Sequence, residues 1–237
     1  MAAVEGTGDR WAAEPEPPGS VAQRIPLGWR EVEIPPLRIG LFAPVDPDAL
    51  LDDLTQEEFD RVDQRMPYWA LLWPSAYAAA FAVASGGSLA GRRVLDLGCG
   101  LGLEGLAALH KGAHVTFLDW ERDATIVAVA SAHARGFTAC EAVVADWRAP
   151  PPLAPFDLVL AADVLYEERN APGVLAFLAR HVAPGGEAWV TDPGRRHAEG
   201  FETRLASAGL VLAATERFPA LGEAKSLVLW RLARAGG

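Results

Sequence analysis

The side chains best suited to chemistry stand at the ends of short apolar runs. In Val94-Leu95-Asp96-Leu97-Gly98-Cys99-Gly100-Leu101-Gly102, three alternating glycines follow a run fit for a buried strand, and an apolar helical stretch comes next. Glycine lets a backbone turn tightly and lie against a ligand with no Cβ in between. Gly98, Cys99, Gly100 and Gly102 therefore read as a ligand cradle, with a purely structural turn as the plainer alternative. A dinucleotide bend of the form G-x-G-x-x-G would need glycine at 103, where Leu103 stands. Asp119 closes the next run, Val115-Thr116-Phe117-Leu118-Asp119, 21 residues after Gly98. At that spacing a carboxylate can accept hydrogen bonds from both hydroxyls of a ribose, although aspartate also favours a helix N-cap. Asp146-Trp147 follows a third run. It offers a carboxylate for an exocyclic amine of a base and a ring to cover that base, or else a polar turn with a core tryptophan. Trp120 competes with Trp147 for the same face of the base.

Ala162-Asp163-Val164-Leu165-Tyr166 follows a fourth run. Open α/β sheets bind ligands beyond the carboxyl ends of their strands, so this segment should face the reacting group. Asp163 and Tyr166 are three apart and share a face if the turn is helical. The carboxylate can then hold an amine N–H and aim the nitrogen lone pair, while the tyrosine walls the site. The alternative is that Asp163 only caps the next helix. Pro67-Tyr68-Trp69-Ala70-Leu71-Leu72-Trp73-Pro74 puts two indoles within five residues. They suit a lid or wall that meets a cationic ligand by cation–π attraction, with Trp73 as the wall, or ordinary packing of an extension on the sheet. The five histidines show no metal-ligand spacing, so no metal is expected.

These residues need elements to hold them. The pattern predicts two short strands, 29–34 and 37–42, separated by Pro35-Pro36. A capping box of Thr55 and Glu58 opens a helix, and a buried helix spans 74–84 with proline in its first turn. Strands are expected at 93–97, 113–118, 141–145, 156–161, 187–191, 210–218 and 226–232, with helices at 103–111, 123–134, 171–181 and 198–208. Alternation of strand and helix implies a parallel sheet covered on both faces, and the last two strands imply a closing antiparallel hairpin. The expected fold is thus α/β and Rossmann-like: a seven-stranded, mostly parallel sheet with a C-terminal antiparallel hairpin, helices on both faces and an N-terminal extension. The expected organisation is a disordered tail at 1–20, an extension at 21–66 and the catalytic domain at 67–237.

The chain has 237 residues, enough for one such domain with an extension. Its 31 acidic and 21 basic side chains give a formal charge of −10. Nucleic-acid binding needs clustered Lys and Arg, so nucleic acid is not the expected partner. Cys99 and Cys140 form no C-x-x-C pair, which suggests neither a zinc site nor a disulfide framework. No signal-peptide pattern opens the chain, and no run has the length of a membrane span, so a cytoplasmic protein without membrane association is expected.

Taken together, these motifs resemble the class I, seven-β-strand methyltransferases that use S-adenosyl-L-methionine (SAM). Within them they resemble the protein-lysine methyltransferase family that includes the enzyme modifying the electron transfer flavoprotein β-subunit. The resemblance rests on Pro67–Pro74, Val94–Gly102, Asp119, Asp146-Trp147, Asp163–Tyr166 and Asp192-Pro193-Gly194-Arg195, and covers roughly residues 30–230. It implies SAM as cofactor, with Asp96 near the ligand's ammonium group. It also implies transfer of a methyl group to an amine, a protein lysine or a small molecule, with Asp163 and Tyr166 at the reacting centre. Asp46–Arg65 matches no extension of that family, and Ser75 replaces a usual glycine. Both departures lie where the acceptor would be chosen. A small-molecule N- or O-methyltransferase and a SAM-binding protein without activity are the competing readings.

Overall fold

The computed structural model describes residues 15–52, 67–219 and 226–236. Seven strands form one sheet: β3 (Arg93–Leu97), β4 (His114–Asp119), β5 (Cys140–Val144), β6 (Phe156–Ala162), β7 (Val182–Asp192), β8 (Leu210–Phe218) and β9 (Leu227–Arg234). Their order is β5-β4-β3-β6-β7-β9-β8. The first five are parallel to one another, and β9 runs antiparallel to both β7 and β8. The central strands are apolar almost throughout because helices cover both faces. The edge strands β5 and β8 are largely exposed.

Four helices of eight residues or more are described: α1 (Pro74–Ser85), α2 (Leu103–His110), α3 (Arg122–Ala134) and α4 (Asn170–His181). One core cluster joins the sheet to α1, α2 and α3, and a second joins it to α4 and to Phe201 and Leu205. A separate antiparallel pair, β1 (Leu27–Ile34) and β2 (Leu37–Pro44), turns at Pro35-Pro36 and shares the first cluster. Ser131 of α3 accepts a hydrogen bond from the Phe42 amide at 2.9 Å, which docks the pair on that helix.

Two expectations change. The helix expected at 198–208 is a series of 3-10 turns at Arg196–Ala198, Glu202–Arg204 and Ala206–Ala208. Gly200 adopts φ +72°, which breaks the α ladder and leaves i to i−3 bonds such as Thr203 N to Gly200 O. β7 begins five residues earlier than expected, at Val182, with an irregular register against β6 between Phe156 and Leu158. The first described helical turn, Gly19–Ala22, is anchored by the fully buried Val21, where the expected extension begins. The helix expected from Thr55 lies outside the described residues.

The topology locates the site. Successive strands run outward from β3 to β5, and the chain then returns to place β6 on the other side of β3. Crevices form beyond the strand ends where the order reverses in this way. The loops after β3 and β6, Gly98–Gly102 and Asp163–Tyr166, meet there.

Candidate active site

A cavity of about 400 Å³ opens at this switch point. Its glycine side is built by Gly98, Gly100 and Gly102, with φ of +68°, +50° and +80°. The Gly98 and Cys99 amides donate to Leu118 O at 2.8 and 3.0 Å, which ties the bend to the end of β4. Asp119 ends that strand. Its Oδ2 accepts from the Gly100 amide and its Oδ1 from the Glu121 amide, each at 2.9 Å. Burial pushes the Asp119 carboxyl above its ordinary range, and these amide donors oppose the shift. A Cβ on Gly100 would come within 3.2 Å of Trp69 O, so Trp69 packs tightly over the bend. Cys99 also lines the cavity, and burial together with nearby carboxyls pushes its thiol well above the ordinary value.

Trp120 and Trp147 both line the cavity, so the two rival rings share the site. Asp146 does not line it. Arg148 takes that carboxylate with Nε at 2.9 Å from both oxygens and Nη2 at 2.7 Å, in a smaller side cleft that also touches Trp120, Trp147 and Tyr166. The guanidinium beside it holds Asp146 below the usual carboxylate range. Asp96 does not reach the cavity either. It is fully buried, and its Oδ2 accepts from the Gly105 amide at 3.0 Å. Glu104, in the first turn of α2, lines the cavity and Asp96 does not.

Ala162, Asp163 and Tyr166 line the opposite wall. The expected helical turn is absent: α4 starts only at Asn170, so Asp163 neither sits in a helix nor caps one. Asp163 takes φ +57°, uncommon for a residue with a side chain, and its amide donates to Thr191 O at 2.9 Å. Arg195 grips its carboxylate with both arms of the fork, Nε to Oδ1 and Nη2 to Oδ2, the latter at 2.9 Å. The Arg195 guanidinium also lies 5.4 Å from the Trp73 ring centroid. Asp192 stakes down its loop, with Oδ1 accepting from the Gly194 and Arg195 amides at 2.7 Å each. Burial pushes Asp192 up to about 6.

Trp73 itself is pinned by a 2.9 Å bond from its Nε1 to Tyr68 O. The Tyr68 ring stands 5.9 Å from Trp73 and 5.6 Å from Tyr166, so three aromatics wall this end. Burial pushes the Tyr166 hydroxyl up to about 12, so it stays protonated at neutral pH. The Thr191 hydroxyl donates to Ser75 O at 3.0 Å and fixes the start of α1, and with it Trp73, beside β7.

The sequence reading missed Tyr68, Glu104 and Arg195 as lining residues. Glu104 carries a faint signal, a lone acid in the apolar run Leu103–Leu109. Arg195 is marked only as the end of the Asp192–Arg195 segment, and its place in the cavity appears when folding brings it 32 positions back to Asp163.

Residues 94–186 match a family model described as a methyltransferase domain. By that match the segment from β3 into β7 is similar to a methyltransferase domain. The cofactor of that domain is SAM, and the residues present fit it: the glycine bend leaves no room for added Cβ atoms, while Asp119 and two indoles face the same cavity. The electron transfer flavoprotein β-subunit lysine methyltransferase of Danio rerio is 32% identical over 141 residues, covering 58% of this chain and 54% of that protein. The cypemycin N-terminal methyltransferase of a Streptomyces species is 32% identical over 162 residues, covering 66% of this chain and 62% of that protein. The chain therefore spans little more than half the length of these relatives. The methyltransferase fold is shared with the N-methyltransferase NodS of Bradyrhizobium japonicum in complex with S-adenosyl-L-homocysteine, at TM-score 0.58 and 18% identity over 80% of this chain and 98% of that one. Among the described residues, no helix is long and apolar enough to cross a membrane. None of their His, Cys, Asp and Glu side chains gather in groups of three or more able to hold a metal ion.

Proposed function

We propose that this protein is a SAM-dependent methyltransferase acting on an amine, with a protein lysine side chain as acceptor. One observation carries the reading: a single cavity runs from the glycine bend and Asp119 to Asp163, Tyr166, Tyr68 and Trp73. When bound, SAM supplies a methyl group on a positively charged sulfur, open to in-line attack by a nitrogen lone pair. Asp119 grips the ribose, Trp120 and Trp147 cover the base, and Gly98, Gly100 and Gly102 let the backbone approach. The aromatic wall excludes water and holds an aliphatic amine in position, which is most of what such a reaction requires.

Arg195 decides the part played by Asp163. A free carboxylate would hold a lysine as its unreactive ammonium. The guanidinium fork compensates that charge, so Asp163 accepts a hydrogen bond from the amine without stabilising its protonated form. Asp163 orients the lone pair and is not the base. The similarity to a lysine methyltransferase supports the lysine acceptor. A small-molecule acceptor is the second reading, supported by a 30% identical ubiquinone biosynthesis O-methyltransferase of Aeromonas salmonicida. Residues 67–237 are proposed as the catalytic domain and the β1–β2 segment as its extension. A methylation-deficient cell extract treated with the protein and methyl-labelled SAM tests the reading. Label in lysine of a protein band supports it, label in the small-metabolite fraction supports the second reading, and no label in either refutes both.

A further inference from the structure

Glu104 is 2% exposed yet lines the cavity, in the first turn of α2. Behind it lies Asp96, fully buried, whose Oδ1 has no hydrogen-bond donor among the described residues. That oxygen is satisfied when the Asp96 and Glu104 carboxyls share a proton in the side-chain hydrogen bond between them. The other groups acting on the pair are the Glu104, Gly105 and Ala162 amides and the Asp119 carboxyl. The basic side chains lining the cavity are Arg195 and His197, and Arg195 is committed to Asp163. Two acids sharing one site cannot both ionise without a cation, and burial pushes Glu104 up to about 8.

We propose that Glu104, rather than Asp96, receives the ammonium of the ligand's aminoacyl end, and that this ammonium replaces the proton the Glu104–Asp96 pair otherwise shares. The proposal rests on the SAM reading above and adds a residue and a proton to it. On binding, the Glu104 O–H bond breaks, the proton leaves to solvent, and the carboxylate pairs with the incoming ammonium. The cofactor site then selects for an amino group and becomes proton-coupled.

The test is calorimetric titration at pH 7.0 with S-adenosyl-L-homocysteine, whose sulfur is uncharged, and with the same compound lacking its α-amino group. Comparing phosphate with Tris buffer counts the protons released. Wild type should release about one proton per amino ligand bound and none with the deaminated one. Glu104→Gln should weaken the amino ligand about tenfold or more, leave the deaminated ligand nearly unchanged and abolish the release. Equal affinity and equal proton count for both ligands on wild type would overturn the proposal, whether or not the variant folds, and would leave the SAM reading standing. Failure of wild type to bind either ligand would overturn both.

Discussion

Asp119 holds two backbone amides and still faces the cavity, so its substitution should be felt by the ligand before the fold. Charge-assisted bonds to a ribose are worth roughly 1.5–3 kcal/mol each, so Asp119→Asn should weaken S-adenosyl-L-homocysteine about 10–100-fold by calorimetry. At the other wall, Asp163→Asn should bind that ligand within about threefold of wild type while turnover drops about a hundredfold, because orientation acts at the reacting centre. Unchanged turnover on the labelled protein acceptor would remove Asp163 from the mechanism. Arg195→Gln should leave Asp163 uncompensated. The acceptor amine then deprotonates at higher pH, and the rising limb of the rate profile should move up by about one unit. Asp163→Asn combined with Arg195→Gln should return the limb toward its original position, since the unpaired charge is gone. A limb that stays put in the single variant would leave Arg195 a purely structural tie.

The strand-to-helix connection after β3 shows how an element sets a site. Gly102 sits at φ +80° with its hydrogen pointing at neighbours, and a Cβ there would lie 2.8 Å from the Ala128 Cβ and 2.9 Å from Phe117 Cε1. Left-handed strain and overpacking each cost about 1–3 kcal/mol, so Gly102→Ala should destabilise the fold by about 2–5 kcal/mol in denaturant unfolding. Loss below about 0.5 kcal/mol would mean that α2 shifts freely. The same element brings Glu104 to the cavity just beyond the bend. At the opposite wall, β7 ends in Asp192, and the tight turn after it delivers Arg195 to Asp163. Both walls are thus shaped by segments just beyond the carboxyl ends of strands, here the two strands that flank β6.

For the whole molecule, buried carboxyls link stability to pH. Glu104 rises from 4.5 to about 8 and Asp192 from 3.8 to about 6 on folding. A raised carboxyl pKa means that the folded state binds protons more tightly. The stability it contributes is full below the unfolded value and is lost as pH climbs through the folded one. The ligand-free protein should therefore melt at progressively lower temperature from about pH 5 to about pH 8, and Glu104→Gln should flatten the upper part of that slope. A flat or rising melting temperature across this window in wild type would show that the two acids reach water. Bound S-adenosyl-L-homocysteine should restore stability at the alkaline end, because it binds the folded state alone.

The linear order of residues was enough to place the seven-stranded sheet, its antiparallel ending and the glycine bend, because hydrophobic period and glycine spacing are local properties. It also placed Asp119, Trp120, Trp147, Asp163 and Tyr166 at strand ends, where an α/β sheet opens its crevice. Local pattern failed where Gly200 broke an apparent helix. It failed again at Asp96 and Asp146, acids at the right points along the chain whose side chains are taken up by the Gly105 amide and by Arg148. Which acid faces the cavity, and whether its charge is compensated, depends on contacts between residues far apart in sequence. The Arg195 fork on Asp163 and the proton shared behind Glu104 exist only after β3, β6 and β7 lie side by side, since burial and charge pairing are properties of packed neighbours.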